Sequence, residues 1–169
     1  MKSGRRLVFI DVEASGLGPQ SWPIEVAWVN LDGAAAATLI QPHPDWSMQA
    51  WMASAEALHG LTPDQVYREG APVASIASNL NDTLHDATVI SDAPAFDGFW
   101  LGRLFEAADL APAFGLTDWM AALAPFGRAS RLASAVERAA THAPRTHRAL
   151  ADARHLRAVY REIAGLGMD

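Results

Sequence analysis

At 169 residues, the chain suits one domain around one hydrophobic core, because two domains of half that length would each bury too little surface. Half of the residues are hydrophobic and 19% are charged, which excludes long disorder, and the lack of any cysteine excludes disulfides, thiolate zinc sites and cysteine nucleophiles. The formal net charge of −6 argues against a protein that grips long duplex nucleic acid through its overall field.

Met1 to Arg6 is basic, but the apolar run behind it is only Leu7 to Ile10. That is too short for a secretory core segment or a membrane span, so a cytoplasmic protein with no membrane partner is the expectation. Leu7-Val-Phe-Ile10 reads as a buried strand that ends at Asp11. Ile24 to Leu31 reads as a second strand, Asp32-Gly33 is a hairpin turn signal, and Ala34 to Gln41 returns antiparallel. Pro42 and Pro44 mark a loop. Met48 to Leu58 has helical character and stops at His59-Gly60. Thr62-Pro63-Asp64 opens a short helix, with Thr62 as cap and Pro63 at the first position. Val73 to Leu84 is a helix, Thr88 to Ser91 a fourth strand, and Asp97 to Ala108 a helix. Phe114 to Leu123 combines a short strand and a helix. Arg131 to Ala140 and Ala149 to Ala164 are the last helices, the latter with Leu150, Ala153, Leu156, Tyr160 and Ile163 on one apolar face. A hairpin followed by alternating helix and strand predicts an α/β fold: a mixed five-stranded sheet, antiparallel hairpin plus parallel strands, with helices on both faces. Ligands of such sheets gather at strand ends and crossovers.

Three segments carry chemistry. Side chains two apart on a strand point the same way, so Asp11 and Glu13 project together if the strand persists. Two carboxylates so close repel, and one takes up a proton unless a cation binds between them. Oxygen-rich clusters of this kind suit Mg²⁺ or Mn²⁺; the plain alternative is a solvated strand end. The small residues Ala14 to Gly18 either let backbone N–H groups approach a substrate or simply make a turn. In Ser91-Asp92-Ala-Pro-Ala-Phe96-Asp97, either acid serves as a helix cap or joins the first motif at the strand ends. In His147-Arg-Ala-Leu-Ala-Asp152, Thr146 reads as the cap of the last helix. His147 then stands at the entrance and Asp152 one turn in. An imidazole with an ordinary pKa of about 6.5 suits proton acceptance at neutral pH. The alternative is a first-turn carboxylate answering the helix dipole beside a surface histidine.

Other residues have plainer readings. Trp28 and Trp100 read as core. Trp22, Trp46 and Trp51 lie in or near loops and are candidates for a nucleotide shelf. His43, His85, His142 and His155 lack partners at ligand spacing, with His155 read as a helix-surface residue beside Asp152. Glu25 reads as a strand-edge acid. Eight arginines between Arg128 and Arg161 stand against Glu137 and Asp152. They either neutralise a few phosphates or form solvated helix faces.

Asp11-x-Glu13 followed by Ala-Ser-Gly-Leu, then Phe96-Asp97, then His147-x-Ala-x-x-Asp152, resembles the DEDDh exonuclease family, whose members have a ribonuclease-H-like fold. Leu58-His59-Gly60-Leu61-Thr62 also resembles a recurrent segment of that family. Each element is weak alone; their order along nearly the whole chain is specific. The resemblance implies a metal-dependent 3′→5′ exonuclease that takes single-stranded or short nucleic acid with a free 3′ end and releases 5′-monophosphates. It implies two divalent ions, Mg²⁺ or Mn²⁺, with Asp11 bridging them, Glu13 and Asp152 completing one site and Asp97 supporting the other. His147 is implied as the general base. Ala14, Ser15, Leu17 and His59 match positions near the 3′-terminal nucleotide. Several relatives are homodimers, so a homodimer is carried as an expectation. The chain departs from many relatives at Asp92, Ala93 and Pro94, where they carry His-Asn. Two rival readings remain: a non-catalytic nucleic-acid or protein adaptor on the same fold, and an oligoribonuclease-like enzyme restricted to very short RNA.

Overall fold

Val8, Ile10 and Val12 turn to one face of the first strand and Phe9 to the other, and all four are buried. A strand covered on both faces reads as a near-continuous apolar run, which is how this one reads in sequence. The computed structural model describes residues 6–127 and 131–167. The basic residues before Arg6, and Arg128, lie outside the described residues. Strand β1 (Arg6–Ala14) pairs antiparallel with β2 (Pro23–Asn30), which pairs antiparallel with β3 (Ala35–Leu39). On its other side β1 pairs parallel with β4 (Ala87–Ser91), and β4 pairs parallel with β5 (Leu116–Asp118). The order β3-β2-β1-β4-β5 is thus the expected mixed sheet, with the first strand at its centre. Gly33 takes the positive φ of +100° that the hairpin turn requires.

Helices cover both faces. Helices α3 (Val73–Leu84) and α4 (Pro94–Ala107) supply Ile76, Leu80, Trp100, Leu104 and Phe105 to the core that includes Val8, Ile10 and Val12. On the opposite face, α7 (Ala149–Ala164) lays Ala153 and Leu156 against Phe9, Val29 and Ile90. Beyond it, α5 (Trp119–Leu123) and α6 (Leu132–His142) pack Leu123, Ala135 and Ala139 on Val159 and Ile163 of α7. Among the described residues no helix is long and apolar enough to cross a membrane.

Several local expectations change. The first strand does not end at Asp11 but continues through Glu13 to Ala14. Met48 to Leu58 is not one helix: a 3₁₀ turn (Met48–Ala50) gives way to extended Trp51 and Met52, and α1 (Ala53–His59) starts afterwards. The break has a tertiary cause, because the Met52 N–H donates to the Ser15 carbonyl at 2.8 Å instead of to a helical partner. Asp97 is not a cap; α4 begins at Pro94, and Asp97 sits in its first turn. Arg148, not Thr146, occupies the cap position of α7 and makes no side-chain cap bond. Trp22 and Trp46 are not a nucleotide shelf. They stack on each other at 5.6 Å inside the main core, with the Trp22 indole N–H donating to the Ser47 carbonyl. His155 is buried, with Nδ1 at 2.8 Å from the Ala143 carbonyl oxygen, and is not a surface residue.

Candidate active site

β1 delivers Asp11 and Glu13 on the same face as Phe9, the face covered by α7. The β1–β2 register slips between Glu13 and Ala14, and such an irregularity releases the strand end from its ladder beside a site. Asp152, in the first turn of α7, and His147, just before it, complete a group with Glu13 in which one ligand atom from each lies within 4.8 Å of the others. His147 is exposed and has a left-handed backbone, φ +54°. Asp152 is buried, and its Oδ1 accepts the Thr146 N–H at 3.0 Å. Asp97 arrives from α4. The Ser91 hydroxyl at the end of β4 donates to its Oδ2 at 2.5 Å. The fold therefore gathers Asp11, Glu13, Asp97, His147 and Asp152 at one end of the two central parallel strands.

Electrostatics agree with a site built for a cation. Burial pushes the Asp11 carboxyl from an ordinary 3.8 to about 9, with Asp97, Glu13, Asp152 and Asp92 adding to the rise. Burial first, then Asp152 and Glu25, lifts Glu13 to about 7. Burial lifts Asp97 to about 7 against the opposing hydrogen bond from Ser91. Clustered carboxyls out of water hold protons until a positive charge replaces them. Carboxylate oxygens with one imidazole nitrogen fit a divalent cation such as Mg²⁺ or Mn²⁺.

A cleft of about 200 Å³ adjoins the cluster, shared by Glu13, Leu17, Met52, Leu58, His59 and His147. Leu17 is 73% exposed and Leu58 59%, so the mouth is apolar. Ala14 also lines the cleft. Ser15 does not: it is fully buried, and its hydroxyl oxygen accepts the Trp22 N–H at 3.1 Å. His59 is buried at the wall, where its Nδ1 accepts the Leu61 N–H at 3.0 Å. That bond places the proton on Nε2, which has no partner among the described residues. Burial also lowers the His59 pKa, keeping the ring neutral.

Three features are not legible in the sequence. Met52 and Leu58 form part of the cleft, hidden in what reads as a single helix. Glu25 is no edge acid but a buried residue on β2, bound by Arg148. Asp92 is paired with Arg145. Other arginines of the arginine-rich third are engaged as well. Arg138 pairs with Glu162, and Arg157 and Arg161 donate to the Leu31 carbonyl.

A family model described as Exonuclease matches residues 8–160. Among solved structures, E. coli exonuclease I in complex with a dT13 oligonucleotide is similar at a TM-score of 0.72 and 16% identity, over 94% of this chain and 40% of that one. The zinc-bound complex of E. coli exonuclease I with single-stranded DNA gives 0.69 and 17%, over 90% and 39%. A moderately thermophilic exonuclease I from Methylocaldum szegediense gives 0.67 and 16%, over 93% and 40%. The chain spans about two-fifths of the length of these exonucleases, and the likeness is one of fold. No curated protein sequence matches the chain.

Proposed function

This chain belongs to the Exonuclease family, and from that premise we propose that it is a DEDDh-type 3′→5′ exonuclease, its 169 residues forming a single exonuclease domain. It hydrolyses the terminal phosphodiester of single-stranded or short nucleic acid and releases 5′-monophosphates. The observation that carries this reading is the convergence of Glu13, His147 and Asp152, with Asp11 and Asp97 beside them. Asp11, Glu13, Asp97 and Asp152 would hold two divalent cations, Mg²⁺ or Mn²⁺, which would supply charge stabilisation to the attacking and leaving oxygens of an in-line displacement. His147, exposed at the helix entrance, takes the proton of the attacking water, which adds to phosphorus as the 3′ oxygen of the neighbouring nucleotide departs. The complexes of exonuclease I with oligonucleotides support a single-stranded substrate.

The cleft beside the cluster receives the 3′-terminal nucleotide. Leu17, Met52 and Leu58 offer apolar contact to its base and sugar, and the unpartnered Nε2–H of His59 donates to it. His59→Asn tests that role. The amide oxygen takes over acceptance from the Leu61 N–H, while the donor no longer reaches the cleft. The expected result is a fall of roughly tenfold in kcat/KM, the value of about one hydrogen bond, with an unchanged melting temperature. An unaltered kcat/KM in this variant removes His59 from the substrate site.

The whole reading is tested by a time course on 5′-labelled single-stranded RNA and DNA of several lengths, with Mg²⁺, Mn²⁺ or EDTA. A metal-dependent ladder shortening from the 3′ end is expected. Absence of cleavage with either metal would transfer the fold to the adaptor reading, and cleavage confined to the shortest RNAs would transfer it to the oligoribonuclease-like one.

A further inference from the structure

We propose that Glu25 and Asp92 are positioning residues that hold His147 through the two arginines on either side of it; the proposal rests on the reading of His147 as general base. Glu25 lies near the start of β2, 4% exposed, directly opposite Glu13 in the β1–β2 register. Like charges facing each other across a strand pair are unfavourable, so an acid here calls for a partner of its own. Arg148 supplies it in a two-pronged arrangement. Its Nη2 donates to Oε1 at 2.7 Å and its Nε to Oε2 at 3.0 Å, the planar fork that fixes orientation as well as charge. The same Oε2 accepts the Ala149 N–H at 3.0 Å. Glu25 thereby caps α7 from across the sheet, where the cap residue itself provides no side-chain bond.

On the other side of His147, the Arg145 guanidinium donates to Asp92 in the turn between β4 and α4. Between the two clamps, the Thr146 N–H is fixed by Asp152 Oδ1. Residues 145, 146, 148 and 149 are therefore all anchored, to three different elements, and His147 is the one residue between them. Its φ of +54° is a conformation that a histidine adopts rarely and holds only where the surroundings over-determine it. A buried ion pair is in itself weak evidence for stability; a pair of clamps around one strained, exposed imidazole is a device for aiming it. Asp92 itself is turned to Arg145.

The test uses the full chain and the variants Glu25→Gln, Arg148→Ala, Arg148→Lys and Asp92→Asn. Three readouts are compared: kcat and KM on single-stranded substrate at saturating Mn²⁺, Mn²⁺ affinity by calorimetry, and amide hydrogen exchange of residues 145–149 without metal. Glu25→Gln is expected to lose roughly 30- to 100-fold in kcat, the scale of an ångström of misplacement. KM and Mn²⁺ affinity stay within about threefold, and exchange in the segment speeds up. Arg148→Lys recovers part of what Arg148→Ala loses, and Glu25→Gln with Arg148→Ala is no worse than either alone, because the two act as one unit. Asp92→Asn costs less, roughly 3- to 10-fold, since Asp92 is less buried than Glu25 (side chain 15% against 5% exposed); it serves as the main arm should Glu25→Gln not fold. Wild-type kcat in these variants, or a loss that falls on KM or Mn²⁺ affinity instead, overturns the proposal. If the wild-type chain cleaves nothing, the exonuclease reading has failed, and hydrogen exchange alone judges the clamps: unchanged exchange in Glu25→Gln and Asp92→Asn overturns them, faster exchange supports them.

Discussion

Asp11→Asn is expected to leave less than about one-thousandth of wild-type turnover and, in EDTA, to raise the melting temperature. Both effects come from the same crowding. Asp11 is set on the central strand with Asp97, Glu13, Asp152 and Asp92 all close enough to oppose its charge, and burial alone is the largest influence on it. In the metal-free fold this carboxyl is held protonated to about pH 9, a state that must be bought with a proton from neutral solution. An amide of the same shape requires no proton. The gain is on the order of 2 kcal/mol after allowance for partial solvation, or roughly 4–8 °C for a chain of this size. With divalent cations present the balance reverses, because the amide cannot replace the ligand charge, and a thousandfold loss corresponds to about 4 kcal/mol of transition-state stabilisation. Cleavage assays and paired melts in EDTA and Mn²⁺ read both sides. An acid that serves only the fold behaves in the opposite way, losing stability on substitution. A variant that keeps its activity, or melts lower in EDTA, removes Asp11 from the metal site.

The sequence makes the centre of this fold legible because its signals there are local. The apolar run Leu7 to Ile10, the turn at Asp32-Gly33 and the apolar face of α7 each declare an element without reference to the rest of the chain. The period of two along β1 likewise aligns Asp11 with Glu13 through strand geometry alone. What stays hidden depends on partners far away in sequence. The helix expected over Met48 to Leu58 breaks because Met52 is bound to Ser15, 37 residues earlier, and no periodicity records that bond. Trp22 and Trp46 are surrounded by loop residues, yet they fill the core because the loops fold inward on each other. Glu25 is the most instructive case. As one acid at the start of an apolar strand it looks incidental; once the hairpin register sets it opposite Glu13, it needs a cation, and Arg148 beside His147 is the one supplied. His59 stands out in the sequence only through resemblance. Its two nitrogens acquire distinct positions when Leu61 claims one of them and the other is left without a partner among the described residues.

In EDTA the melting temperature of the folded chain is expected to fall as pH rises from about 5.5 to 8.5, and added Mn²⁺ to restore more stability at the upper end than at the lower. Glu13 is raised from 4.5 to about 7, Asp97 from 3.8 to about 7 and Asp11 from 3.8 to about 9. Between each ordinary value and its raised one, the folded state binds more protons than the unfolded chain. The slope of unfolding free energy with pH follows the protons of the unfolded state minus those of the folded state, and here it is negative. The contribution of these carboxyls is thus fully present below about pH 4 and is lost through about pH 7 for Glu13 and Asp97, and through about pH 9 for Asp11. This is the reverse of an ordinary salt-bridged acid, whose stabilisation is lost on acidification. Cation binding requires the deprotonated ligands, so a fixed Mn²⁺ concentration exceeds its apparent dissociation constant by more at higher pH. At a hundredfold excess the cation adds about 2.7 kcal/mol, which offsets part of the decline. Melts at four or five pH values, with and without Mn²⁺, resolve the two slopes. A flat curve in EDTA together with a Mn²⁺ shift independent of pH would show that these carboxyls are neither proton-bound in the free fold nor joined in holding a cation. A Mn²⁺ shift that grows with pH in the wild-type chain and disappears in Asp11→Asn links the buried charge to the bound metal, with no assumption about the substrate.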